Sequence, residues 1–134
     1  MSIGQFALQE SIYNTLSNDN TLTSTLGAGI YDDVIEGATY PWVEIGNETS
    51  IDYSTKNVSG SQYTVTLHIW SRYAGSKEVK QIMDRLHDLL HDSDITVTGF
   101  NLINVRFEFG DIMRDPDGKT RHGVMRFRAI ILGN

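Results

Sequence analysis

The chain has 134 residues, 40% apolar and 21% charged, with a net charge of −6 and no cysteine. These are the values of a globular domain with its own core, predicted to span 1–134, and they exclude a disordered chain, a disulfide scaffold and thiolate metal sites. No stretch approaches the roughly 20 apolar residues of a membrane span, and the acidic balance argues against DNA binding by the whole surface.

The opening Met-Ser-Ile-Gly-Gln-Phe has neither a basic region nor an apolar run of signal-peptide length. The expectation is a soluble protein that stays where it is made. From residue 5 to 17, Leu8, Ile12 and Leu16 recur every four residues, with Tyr13 placed on the same side. That is one stripe of an amphipathic helix. Ser17-Asn18-Asp19-Asn20 ends it and supplies caps for a short turn containing Leu22 and Leu26. Gly27 and Gly29 break the helical pattern, and Ile30-Tyr31 reads as a brief extended piece. Residues 35–41 read as loop, because Gly37 and Pro41 disfavour regular structure.

Trp42-Val43-Glu44-Ile45-Gly46 is short, alternating and predicted as a strand. The polar residues 49–60 are expected to form a mobile loop or an extended hairpin arm. Over 62–71, Tyr63, Val65, Leu67 and Ile69 share one face, with Thr64, Thr66, His68 and Trp70 on the other. Ser76 is a plausible N-cap for the main helix, which runs to about His91. Val79, Ile82, Met83, Leu86, Leu89 and Leu90 form its apolar stripe, so this helix lies on a sheet with its other face wet. Residues 95–98 are compatible with a short strand, and Gly99 turns the chain.

Residues 100–132 organise the rest. Ile103, Val105, Phe107 and Phe109 alternate on one arm, and Met125, Phe127, Ala129 and Ile131 on the other. Asp115-Pro116-Asp117-Gly118 lies between them as a turn, with Gly118 able to take positive φ. The prediction is a long antiparallel hairpin with one apolar and one charged face. If Asp115 and Lys119 close the turn, Glu108 stands opposite Arg126. The fold class is α+β: an antiparallel (mixed) sheet with a long C-terminal hairpin, covered by two main helices.

Chemistry is sparse. His87 and His91 are spaced to chelate zinc or nickel, with Asp84 and Asp88 nearby. No third ligand is evident, and a solvated polar helix face explains them. Asp111, Asp115, Asp117 and Gly118 resemble a calcium loop, but Pro116 breaks the ligand spacing and no closing glutamate follows. Asp32, Asp33 and Glu36 offer paired carboxylates without a partner that would place them in a pocket. There is no Gly-x-Ser-x-Gly elbow, and Gly27-x-Gly29 lacks the rest of a dinucleotide fingerprint. Arg106, Arg114, Arg121, Arg126 and Arg128, with Lys119 and His122, make the hairpin the most basic region. Alternation puts Phe107, Phe109 and Phe127 on the face away from these arginines, which argues against a nucleic-acid-stacking sheet. A basic strip meeting an acidic partner fits equally well. From residue chemistry alone, the chain is a binding or structural module rather than an enzyme.

Three stretches together carry a resemblance. They are Ile30-Tyr31-Asp32-Asp33-Val34 with Tyr40-Pro41-Trp42-Val43-Glu44-Ile45-Gly46; Leu67-His68-Ile69-Trp70-Ser71 with the helix after Gly75; and Arg106-Phe107-Glu108-Phe109 through Arg114-Asp115-Pro116-Asp117-Gly118-Lys119-Thr120-Arg121-His122-Gly123 to Arg126-Phe127-Arg128-Ala129. In this order they resemble the small tail-completion proteins of long-tailed bacteriophages, prophages and gene transfer agents. The resemblance implies a tail terminator: a hexameric homo-oligomeric ring on the head-proximal end of the tail tube that stops polymerisation and meets the head-completion (stopper) protein. It implies a virion location reached from the host cytoplasm, DNA only passing through the channel, no membrane, no cofactor and no catalysis. A closed heterologous ring needs two different patches on each copy. The expected patches draw on Asp32, Asp33, Glu36, Arg106, Glu108, Arg114, Asp115, Asp117, Arg121, Arg126 and Arg128. Other readings are another head–tail connector or tail tube protein, a nucleic-acid-binding module, or a small metal-dependent enzyme using His87 and His91.

Overall fold

The computed structural model describes residues 3–133. Helix α1, Gln5–Ser17, is followed by a single π-helical turn, Thr21–Thr25, and by strand β1, Gly29–Tyr31. Strands β2, Trp42–Asp52, and β3, Gly60–Ser71, form a hairpin; helix α2, Lys77–Leu90, then leads to β4, Phe100–Arg114, and β5, Arg121–Gly133. The sheet order is β1-β2-β3-β5-β4, with β1 parallel to β2 and every other pair antiparallel. The α+β expectation, a mixed sheet with helices, is met.

Alternation builds the layers. Tyr63, Val65, Leu67 and Ile69 of β3 and Met125, Phe127, Ala129 and Ile131 of β5 are buried, as their period of two requires. Both helices press their stripes onto that one face: Leu8, Ile12 and Leu16 from α1, and Val79, Ile82, Leu86 and Leu90 from α2 join the same core. Tyr13, expected beside the α1 stripe, is instead 40% exposed. It lies a quarter-turn beyond Ile12, so the stripe is narrower than supposed. Gly123 marks where α2 crosses β5: a Cβ there would sit 2.9 Å from Met83 Sδ and 3.0 Å from Val79 Cγ2.

Several expectations need correcting. Over 49–60 strand pairing runs through Asp52↔Ser61, so 49–52 extend β2 as the hairpin-arm alternative expects, and 53–59 form the connecting loop. Residues 95–98 form no strand, although Val97 is buried in the core. Ser76 occupies the N-cap position of α2 without a capping side-chain hydrogen bond. The C-terminal hairpin is built into the sheet, as its organising role implies, with β5 paired to β3 from Gly60↔Leu132 to Ser71↔Arg121 and to β4 on its other side.

The main correction is in β4. Register shifts at Ile103 and at Glu108 each insert one unpaired residue. Each bulge inverts the parity of the residues beyond it, so Leu102, Val105, Phe107 and Ile112 lean on the core while Ile103 and Phe109 are 52% and 44% exposed. Glu108 therefore does not face Arg126; Phe109 does, and the Arg126 guanidinium lies 5.1 Å from its ring centroid. The turn is also one residue wider than supposed: the Asp115 N–H donates to the Thr120 carbonyl at 2.9 Å. Gly118 has φ +73, the left-handed conformation the turn sequence predicted.

Candidate assembly surface

With both helices on one face, the other face of the sheet is left to side chains alone. It carries Trp42 and Glu44 from β2, Thr64, Thr66, His68 and Trp70 from β3, and His122, Val124, Arg126 and Arg128 from β5, nearly all half-buried. Aromatic rings run across its upper part. Tyr40 stacks on Trp42 at 4.3 Å between centroids, Arg72 lies 4.5 Å over Tyr40, and Trp70 stacks on His122 at 3.8 Å. His68 Nδ1 and His122 Nε2 share a hydrogen bond at 2.8 Å. Burial first, then the neighbouring His68, pushes His122 below the ordinary histidine range, with Asp115 pulling weakly the other way.

The arginine side of this face is only partly satisfied. Arg106 and Arg128 stand directly opposite each other on β4 and β5, a like-charge pair that is unfavourable without an anion. Arg106 reaches round the edge to Asp92, 2.8 Å away, while Arg128 makes no ion pair among the described residues and its Nε is buried without a partner. Asn104 Oδ1 and Trp42 Nε1, on the same face, are likewise buried and unpartnered among the described residues. Arg114 and Arg121 form a second directly opposed pair at the hairpin turn, at the parity of Ser71 and Gly123 and so on the helix side of the sheet.

Asp32, Asp33 and Glu36 all follow β1 and are exposed at the far edge of the sheet. Three strand spacings, about 14 Å, separate β1 from β5 and four, about 19 Å, separate it from β4; among the described residues no ion pair joins these acids to the β4–β5 arginines. Glu48 adds to the acidic edge: burial first, then Asp32, raises its carboxyl above the ordinary range. Asp117, by contrast, is committed to its own turn. It accepts the Lys119 and Thr120 amides and the Thr120 hydroxyl, which hold its pKa at about 2. Arg72 lies 3.7 Å from its carboxylate. Asp115 contributes its backbone to the turn, and Glu108 sits exposed in the bulge.

The rival chemistries find no support in the geometry. His87 and His91 stack at 4.5 Å, and His91 Nδ1 accepts the Phe107 amide, which ties that ring to the sheet edge. No group of three metal-binding side chains occurs among the described residues. A depression of about 240 Å³ near Ile3, Asp52, Phe100 and Ile131 holds no titratable pair. Among the ion pairs that sequence reasoning missed, the shortest has Arg85 on α2 donating through Nε and Nη2 to Asp19 at 2.9 and 2.6 Å. Asp19 also caps Leu22, so this pair pins the π-helical turn to α2. Only the four-residue cluster around Asp19 hinted at a cap; nothing local signalled Arg85.

A half-buried sheet face with an unpartnered Arg128 and an acidic edge opposite has the makings of an assembly surface. The family model described as tail completion protein gp17 matches residues 10–132, and the chain belongs to that family. Tail completion protein gp17 of Bacillus phage SPP1 is 28% identical over 95 residues, covering 71% of this chain and 70% of that protein. A solved structure described as the virion of a native gene transfer agent particle contains a chain 25% identical to this one. The two superpose with a TM-score of 0.90 over 99% of this chain and 100% of that one. The chain is thus a non-enzymatic virion protein with a structural role in tail completion.

Proposed function

We propose that this chain, acting as one terminator-like domain over 1–134, caps the head-proximal end of the tail tube as a ring of identical copies, six by the family resemblance. The cap stops tube polymerisation and offers a joining surface to a head-completion protein. Ring closure by a heterologous contact requires two unlike, complementary patches on each copy. The observation that carries this reading is the separation of charges. Arg126 and Arg128 lie on the uncovered face beside β4, and Asp32, Asp33 and Glu36 lie towards the opposite edge, with no ion pair between the two groups within a copy among the described residues. Arg114 and Arg121 stand at the hairpin turn at the parity of Gly123 and Met125, on the helix side of the sheet, and Glu108 is the unpaired bulge residue of β4, so these three lie apart from the first patch. Arg106 and Asp117 contribute less than the sequence suggested, because Asp92 and the turn already occupy them. The overall charge of −6 suits a channel through which DNA passes without being held.

The test is charge reversal in pairs. Arg128→Glu and Asp33→Arg should each weaken self-association by about tenfold or more, and the double variant should recover part of that loss. Rings that form equally well in both single variants would exclude this interface.

A further inference from the structure

The sheet has two long edges, and they are treated differently. On β4 three of the outward backbone groups are taken. The Asp92 amide donates to the Val105 carbonyl at 2.7 Å, the Phe107 amide donates to His91 Nδ1 at 3.0 Å, and the Ile112 amide donates to Asp111 Oδ1 at 2.9 Å. This is how a soluble protein blunts an edge against unwanted pairing. On the other side, β1 covers only Trp42, Val43 and Glu44, so β2 beyond Ile45 has no strand on its outer side among the described residues. The Tyr53 amide donates to the Gly60 carbonyl at 2.8 Å, which fixes the ladder's alternation and turns the amides of Glu48, Ser50 and Asp52 outward. Among the described residues, no backbone or side-chain group bonds to them. Residues 49–52 are all exposed, and Ile51 stands 59% exposed beside them.

We propose that the outer edge of β2, Glu48–Asp52, takes up an extended segment of a different virion protein by strand addition. The segment would carry basic side chains facing Glu48 and Asp52 and an apolar side chain facing Ile51. Strand addition of this kind draws affinity from main-chain hydrogen bonds and specificity from alternate side chains. Charge selects the occupant. Pairing this edge with its own copy in full antiparallel overlap opposes Glu48 to Asp52 twice, and a slip that avoids this shortens the overlap. The β4 edge of a second copy is interrupted at Val105, Phe107 and Ile112 by their bonds to Asp92, His91 and Asp111. A second copy therefore offers no matching strand, and a basic extended segment from another protein does. The inference rests on the tail-completion reading.

The test uses the full chain with tail tubes and tail-less capsids purified from the particle that encodes it. Ser50→Pro removes an outward amide while leaving the β2–β3 ladder whole, so it should fold normally and bind about tenfold more weakly. Thr49→Pro should instead break the ladder, because that amide points to β3. In the complex, hydrogen exchange at Ser50 and Asp52 should slow by about tenfold or more. Unchanged binding by folded Ser50→Pro, or exchange at these amides as fast as in the free chain, overturns strand addition alone. If Ser50→Pro misfolds, exchange on the unaltered chain decides. Failure of the unaltered chain to associate with either tubes or capsids counts against the completion reading and this inference together.

Discussion

Gly123 offers the sharpest test of how α2 is seated on the sheet. Replacing it with alanine places a methyl 2.9 Å from Met83 Sδ and 3.0 Å from Val79 Cγ2, with Ile69 Cβ at 3.4 Å. Met83 can swing its thioether aside, but Val79 is stiff at χ1 and buried, so the helix must lift by a few tenths of an ångström. Overpacking of this kind costs about 1–3 kcal/mol. Removing a strand glycine returns about 0.5–1 kcal/mol of backbone entropy. The net expectation is a loss of about 1–2 kcal/mol, or roughly 4–7 °C in Tm for a domain of this size. Gly123→Val should lose considerably more. Thermal unfolding by circular dichroism reads the effect, and Val79→Ala tests its origin. In a double-mutant cycle the second substitution makes room for the first, giving a favourable coupling of about 0.5 kcal/mol or more. A stabilised Gly123→Ala variant, or strictly additive losses, would refute close approach of α2 at this point.

Other expectations rest on the charged groups. The Asp19 carboxyl is held below its ordinary range chiefly by Arg85, so its contribution is present above the unfolded value near 3.8 and is lost as pH falls through the folded one. Asp19→Asn should lower Tm at pH 7 by several degrees and flatten the acid limb of the Tm–pH curve. Asp117 behaves alike, with a window from about pH 3.8 down to about 2 set by its turn hydrogen bonds; Asp117→Asn should remove part of the slope there. His122 has the opposite linkage, because a base whose folded pKa is depressed stays neutral in the native state. Stability should fall as pH drops below 6.5 towards the folded pKa, and His122→Phe, which keeps a ring over Trp70, should flatten that fall. Proton-detected titration of His122 should give a midpoint under 6.5, and one above it would overturn the assignment.

Much of this architecture was legible because one-sided burial writes a period into the sequence. The α2 stripe from Val79 to Leu90 and the Tyr63–Ile69 alternation marked the elements and their buried faces almost to the residue. The β4 error had a physical origin: a bulge is decided by how many residues oppose a partner strand, which no single strand records. A trace was present, since Leu102 and Ile112 are apolar at the parity opposite to Val105 and Phe107, and only two bulges reconcile them. The loop reading of 49–60 missed the strand over 49–52, because those residues lie at an unpartnered edge, where exposure on both faces hides the alternation. The candidate interface was legible as charge but not as availability. Arg106 and Arg128 look equivalent along the chain, yet one finds Asp92 and the other finds nothing among the described residues. Pairings such as Asp19 with Arg85 and His68 with His122 join residues 66 and 54 positions apart, where local pattern is silent.

The measurement that bears most directly on the ring is the mass of the purified protein by light scattering across a concentration series, alone and with tail-tube protein, followed by negative-stain imaging. A tail terminator should give a discrete closed ring near six copies, formed either spontaneously or once the tube protein is added. A strict monomer under both conditions would contradict the ring.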